Sequence, residues 1–315
     1  MEYRKLISFG KNSYVVSLPK TWVKQNKLKK GDLISLEEKP GSIFLSAKNG
    51  EEIEEKSCVI NIDGKVLNQL KRELNAAYIE NNREIVFLGK EIKTRSSELL
   101  EIIRDLIALE VLELDSSRIV TKDFLDMNKV SVVELLKKVD IVVRSMLKDC
   151  AQTFTEDVSD NINLRDKDVN RLSFLIYRTI RYGMRNQSRF LKIFNLSAVD
   201  LLNCYWMTFH LEAAADEAKR ISRVMKVIKL SSVQQKNFMG LFKDCCTYYE
   251  DVMKAYYLNN REKALELSNR KRELIDKVNL FYEEIQNVKE ASYMTDRFRK
   301  LLGTVHELDR LIYQY

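Results

Sequence analysis

The chain has 315 residues, 45% hydrophobic and 31% charged, with a formal net charge of +7. That balance belongs to a folded globular protein of two or three domains; it excludes disorder, and no apolar run approaches the roughly 20 residues that span a bilayer. Five cysteines without a CxxC pair and only two histidines, His210 and His306, leave no zinc-ligand spacing and no histidine-based triad.

The charge is concentrated at the front. Residues 1–48 hold ten basic groups against the four acids Glu2, Asp32, Glu37 and Glu38, a balance of +6 that leaves +1 for all the rest. A positive field of this kind attracts a polyanion. Helix breakers are concentrated there too, since both prolines, Pro19 and Pro40, fall in this stretch and none follows residue 90. The punctuation predicts strands over 3–9 and 14–18 around a turn at Gly10-Lys11-Asn12. A short helix from Pro19, a "KKGD" turn and strands over 33–37 and 43–46 around Pro40-Gly41 follow. Trp22 is read as a core residue of this segment and Pro19 as structural. Strands this short cannot bury both faces within 48 residues, so a partner chain is expected.

Residues 50–125 alternate between strands at 58–62, 85–88, 111–114 and 118–120 and helices at 66–81 and 96–108. The pattern predicts a small α/β domain with helices on one face of the sheet and no phosphate-cradling glycine loop. Over 128–315 the apolar period becomes 3.6. It predicts six helices, at 130–153, 160–194, 199–228, 232–257, 261–286 and 290–315, with Ser131 and Ser232 as N-caps or near-caps. Long helices with short connections imply an antiparallel bundle. The fold class expected is α+β, mostly α. No signal-peptide core opens the chain, so a cytoplasmic location is expected, with no membrane insertion.

The stretch "YRKLISFGKNSYVVSLPKTWVKQNKLKKGDLISLEEKPGSIFL" resembles the swapped-hairpin domain of AbrB-type transcription regulators. The resemblance rests on the basic pair before the first turn, Gly-Lys at the turn, the "SLPKTWV" junction, "KKGD" and the closing "IFL". It covers the first 48 residues and implies a homodimer of interleaved hairpins. It also implies basic side chains laid against DNA, at Arg4, Lys5, Lys11, Lys20 and Lys24. Where that family often carries arginine this chain has Lys11 and Lys20. Lysine lacks the bidentate fork that reads guanine, so contacts to phosphate are expected more than base readout.

A second resemblance is carried by "RDKDVNRLSFLIYR" and "TFHLEAAADEAKRIS", similar to the paired helices of PhoU-type phosphate-uptake regulators, which are built from two three-helix repeats. The combination of both modules is similar to archaeal PhoU-related proteins. It implies a metal, divalent or iron-type, at carboxylates supplied by two helices: Asp166, Glu212 and Asp216. Glu212 and Asp216 lie one turn apart on a single helix face, so both can reach one cation. The other reading of the same pair is ion pairing with Arg220 or Arg223. Asn170 stands where the first repeat would offer a second acid, and in the second repeat only Asn269, Glu273, His306, Glu307 and Asp309 stand at comparable places.

One further pattern is local. Arg171, Arg178, Arg185 and Lys192 recur every seven residues, flanked by Arg181 and Arg189. Glu134, Asp140 and Asp149 on the preceding helix are the neighbours expected to pair with them; an acidic docking partner is the alternative. Together these readings favour a phosphate-responsive transcription regulator that binds DNA at its front and senses or docks through its bundle. The alternative is a non-DNA adaptor, dimerised by the same module, that acts on a phosphate-transporter component. An enzyme is not expected, since no activated nucleophile, phosphate loop or histidine–carboxylate set is present.

Overall fold

The computed structural model describes residues 2–39, 41–47, 56–154, 156, 158–185, 191 and 194–314. Its contacts form two compact units, Met1–Glu55 and Lys56–Tyr315. The fold is α+β and mostly α, with hairpins at the front, a sheet in the middle and a helical bundle at the C-terminal end.

In the first unit β1 (Ile7–Phe9) pairs with β2 (Ser13–Val15), α1 (Lys20–Gln25) follows, and β3 (Ile34–Lys39) pairs with β4 (Ser42–Ala47). Both pairs are antiparallel and stay separate two-stranded sheets. The turns form where glycine allows a left-handed backbone, at Gly10 (φ 71°) and Gly41 (φ 77°). Pro19 precedes the first helical residue rather than occupying it, and its carbonyl accepts the Val23 N–H at 3.1 Å. The "KKGD" turn is closed by the Lys29 N–H donating to the Asp32 carboxylate at 2.6 Å.

No described residue of this unit is buried. Trp22, expected in a core, is only half-buried, as is Val23 beside it, whereas Tyr3, Phe9 and Tyr14 are 85%, 70% and 69% exposed. The strands that the sequence predicts exist, but the described residues of this unit do not cover them.

The second unit opens with β5 (Ser57–Asn61), α2 (Leu67–Ile79), β6 (Glu84–Leu88), α3 (Ile92–Arg104), β7 (Leu109–Leu114) and β8 (Arg118–Asp123). The strand order is β5-β6-β8-β7, with β5 and β6 parallel and the other two pairs antiparallel. Helices α2 and α3 bury Leu70, Leu74, Tyr78, Leu99 and Ile103 against Ile60, Ile85, Phe87 and Ile119. Helix α3 begins at Ile92, four residues before the predicted start.

The bundle comprises α4 (Val132–Cys150), α5 (Ser159–Arg185), α6 (Ala198–Met225), α7 (Ser232–Tyr257), α8 (Arg261–Leu267), α9 (Arg270–Ile285) and α10 (Ala291–Gln314). The helix predicted over 261–286 is two helices, α8 and α9. The Ser268 hydroxyl donates to the Leu265 carbonyl at 2.7 Å at the break, local bonding of the kind that competes with the helical ladder. Ser131 caps α4 as expected, but α7 is capped by Ser231, not Ser232, in a capping box with Gln234. Helices α4, α5 and α6 pack together, as do α7, α9 and α10, and α6 joins the two sets through α10. Ala214, Ala215 and Ala218 on α6 are fully buried at this crossing, where small side chains let neighbours approach.

Among the described residues, the stripe arginines of α5 make no pair with Glu134, Asp140 or Asp149. Arg171 pairs with Asp168 at 3.7 Å on its own helix, and Arg178, Arg181 and Arg185 reach the α/β segment. Arg178 is fully buried: its Nη2 donates to Asp123 Oδ2 at 2.5 Å and its Nε to Asn81 Oδ1 at 3.0 Å. Its guanidinium lies 4.4 Å from the centroid of the Tyr78 ring. Arg83 donates to the same Asp123 oxygen at 2.6 Å, and Arg181 and Arg185 pair with Glu80, whose carboxyl is held below its ordinary range by the Arg185 hydrogen bond. Asp140 is instead taken by Arg144, Tyr249 and Tyr257, and Asp149 by Arg165. Arg189 and Lys192 lie outside the described residues.

Asp309 on α10 is fully buried, and neither carboxylate oxygen has a hydrogen-bond partner among the described residues. Burial pushes its pKa up to about 7. The folded state thus holds a proton that the unfolded chain releases near pH 4, so stability falls as pH rises from about 4 to 7. Asp309→Asn should raise stability at pH 8 by about 1–3 kcal/mol and flatten that decline, read by denaturant unfolding at several pH values. Arg178→Met should cost about 3–5 kcal/mol by stranding buried acceptors, and urea unfolding should then show the sheet segment melting ahead of the bundle.

Candidate nucleic-acid interface and carboxylate cluster

All five basic side chains read as DNA-facing, Arg4, Lys5, Lys11, Lys20 and Lys24, are exposed. Lys20 and Lys24 stand one turn apart on α1 and share a face. Lys11 sits in the β1–β2 turn, where the left-handed Gly10 places it at the tip of the hairpin. Arg4 and Lys5 precede β1, and Arg4 donates to the Ser17 hydroxyl at 3.4 Å while pairing with Glu2. Lys27, Lys29 and Lys30 are exposed as well. The arrangement puts cationic groups at a hairpin tip, along a short helix and at the N-terminal approach, none of them neutralised by an acid except at Arg4 among the pairs described.

In the bundle two of the three predicted carboxylates, Asp166 and Asp216, meet on a cation of the chain's own, while Glu212 is bonded to Tyr177. Lys219 Nζ lies 2.6 Å from Asp166 Oδ2 and 2.9 Å from Asp216 Oδ1, bridging α5 and α6. Arg220 takes the other Asp216 oxygen at 3.1 Å, as one of the two sequence readings expects, while Arg223 donates to Asn163 instead. The Tyr177 hydroxyl donates to Glu212 Oε2 at 3.2 Å. Burial pushes the Glu212 pKa up, with Asp216 and Asp166 adding to the shift. Among the described residues no group of three or more His, Cys, Asp or Glu side chains is placed to hold a metal. A hard cation at Asp166, Glu212 and Asp216 therefore has to displace Lys219.

The comparable residues of the second helix set do not converge. Glu273 is exposed, Glu307 pairs with Arg310 at 3.0 Å, and Asp309 is sealed in the core. Lys219 is the residue that sequence reasoning missed. It lies three positions after Asp216 and seven after Glu212, so its place on the acidic face was readable; its link to Asp166, 53 residues away, was not.

Residues 7–52 match a family of bacterial antitoxins described as the antidote-toxin recognition protein MazE. The chain is also 27% identical over 168 residues to the Lon protease of Rickettsia conorii, an alignment covering 53% of this chain and 20% of that protein. The chain thus spans about a fifth of the length of that curated relative. No solved structure matches. Over residues 7–52 the front of the chain is thus similar to MazE-type antitoxins, and this stretch lies within the charged unit that has no buried residue among those described. No described helix is long and apolar enough to cross a membrane.

Lys219→Ala should remove the one cation that bridges Asp166 and Asp216, leaving Arg220 on the outer Asp216 oxygen and Asp166 without its partner. Titration calorimetry with Mn²⁺ should then show binding about tenfold or more tighter than in the parent chain. Equal heats from both proteins would rule out these acids as a latent cation site.

Proposed function

We propose that the chain is a transcription regulator that binds DNA as a homodimer through its front unit. The carrying observation is the coincidence, within one antitoxin-like domain, of exposed basic side chains and apolar strands that one copy leaves uncovered. A second copy supplies the missing cover and doubles the cationic surface. The contacts then run from Lys5, Lys11, Lys20 and Lys24 to phosphates, with Arg4 beside them. Lysine-dominated contact of this kind holds and orients the duplex, and gives modest base discrimination.

In this reading the bundle senses or docks, and the signal is phosphate supply. What supports it is the packing of α4, α5 and α6 as one set and of α7, α9 and α10, with the short α8 beside them, as another, together with the resemblance of the α5 and α6 sequences to phosphate-uptake regulators. Regulation of a transporter component follows from the same resemblance. The protein works in the cytoplasm, without a catalytic step.

The test is a salt titration of binding to duplex DNA from the region upstream of the protein's own gene, with mixed-sequence DNA as control. Parent affinity should fall by about 10³–10⁵-fold between 50 and 200 mM salt if six to ten phosphates are contacted per dimer. Lys11→Glu/Lys20→Glu should lose most binding to both DNAs and flatten the salt slope. A variant that binds as well as the parent sinks the DNA assignment and leaves the front unit as a dimer clasp.

A further inference from the structure

Helix α6 has two apolar faces where a surface helix needs one. Leu201, Cys204, Met207, Thr208 and Leu211 point into the bundle core and are buried. On the opposite side Val199, Leu202, Trp206 and Phe209 recur at intervals of three, four and three residues, with Tyr205 beside them. All five are exposed, Trp206 by 39% and Phe209 by 48%. From Ala198 to Leu211 the only charged residue is Asp200, which is engaged in the capping box with Ser197. A helix apolar all round is ordinarily covered on every side.

The exposed face is continuous. Trp206 meets Tyr205, Phe209 and His210 with ring centroids 5.7, 5.8 and 6.2 Å apart, and Tyr205 meets Tyr177 of α5 at 5.0 Å. At one end the stripe runs out through Ala213 into the Asp166–Lys219–Asp216 pairs, and at the other into the capping box. It is thus an apolar centre with a polar rim. The five side chains expose on the order of 400 Å² of apolar surface, about half of what one partner contributes to a stable interface, with the rim available for the rest.

We infer that this aromatic face of α6 pairs with the same face of a second copy of the chain, the two helices crossing antiparallel about a two-fold axis near Trp206. The 3-4-3 spacing is that of a two-helix seam, and an interface about a two-fold axis uses one patch twice. An uncharged patch matches itself without repulsion; a partner selected by charge finds nothing here to read. This pairing rests on the proposed dimer, in which the front units tether two bundles and raise their mutual effective concentration.

The test adds one cysteine to a full chain in which Cys58 and Cys246, the two native cysteines that are not buried, are changed to Ser, and treats it with a short bismaleimide. Trp206→Cys should give covalent dimer, about tenfold or more over Val233→Cys, an exposed control on α7. Adding Phe209→Glu should abolish it, and Tyr205→Cys serves as a second probe should Trp206→Cys fail to fold. Sedimentation of the parent separates the two claims. A parent that sediments as a dimer without cross-linking at either seam position overturns the seam and leaves the front dimer standing. A monomeric parent that does not cross-link overturns both. Equal cross-linking at 206 and 233 reports tethered collision and overturns the seam, as does a seam that stays free in the pure chain, which would assign the face to a different protein.

Discussion

The second unit depends on one buried cation. Arg178 has no exposed surface, and a guanidinium without water is tolerated only where hydrogen bonds and a counter-charge replace its hydration. Asp123 at the end of β8 supplies the charge, Asn81 after α2 accepts from Nε, and the Tyr78 face stacks beneath. Each comes from the sheet segment, while the arginine comes from α5. The apolar cores of these two parts are separate clusters, touched across their border by Phe174 on one side and Ile107 and Leu125 on the other. Apolar contact alone would permit sliding. The Arg178–Asp123 pair, with Nε on Asn81, is made in a single geometry and does not.

The first unit is governed by the opposite circumstance, an absence of burial. Its hairpins have their backbone ladders and their turns, yet Tyr3, Leu6, Phe9 and Tyr14 face water. Two-stranded sheets are marginal without a covering layer. Bound water cannot replace that layer; only further apolar surface can. The same residues that make a lone copy unstable make association favourable, by about 25 cal/mol for each Å² removed from water.

Much of the fold was legible in the sequence because its signals are local. Proline and glycine fixed the front order of strands and helix, and the 3.6 period marked the bundle. The misreadings have local causes too. "SSVQQ" offers two serines as caps, and only the Gln234 side chain selects Ser231. The break between α8 and α9 has neither proline nor glycine to announce it. What stayed hidden was long-range pairing. A seven-residue arginine stripe looks alike whether it meets water, the preceding helix or a strand 55 residues earlier in sequence, as Arg178 meets Asp123. The acids at 166, 212 and 216 were recognisable as candidates; that Asp166 and Asp216 share the Lys219 ammonium depended on how α5 and α6 face each other.

On the proposed reading, the coreless front unit and its lysines are two halves of one device. Dimerisation requires apolar burial but also brings two sets of like charges together, and repulsion opposes the closure that burial favours. DNA phosphates remove that opposition, so binding the duplex and closing the dimer stabilise one another by mass action. A bundle that changes how readily two chains meet then changes DNA affinity without touching a base. The exposed aromatic face of α6 is placed to do this, because it lies in the same unit as the Lys219 cluster and is held, through α5, to the Arg178 joint. Rearrangement at the carboxylates would therefore act on the helix that carries the seam.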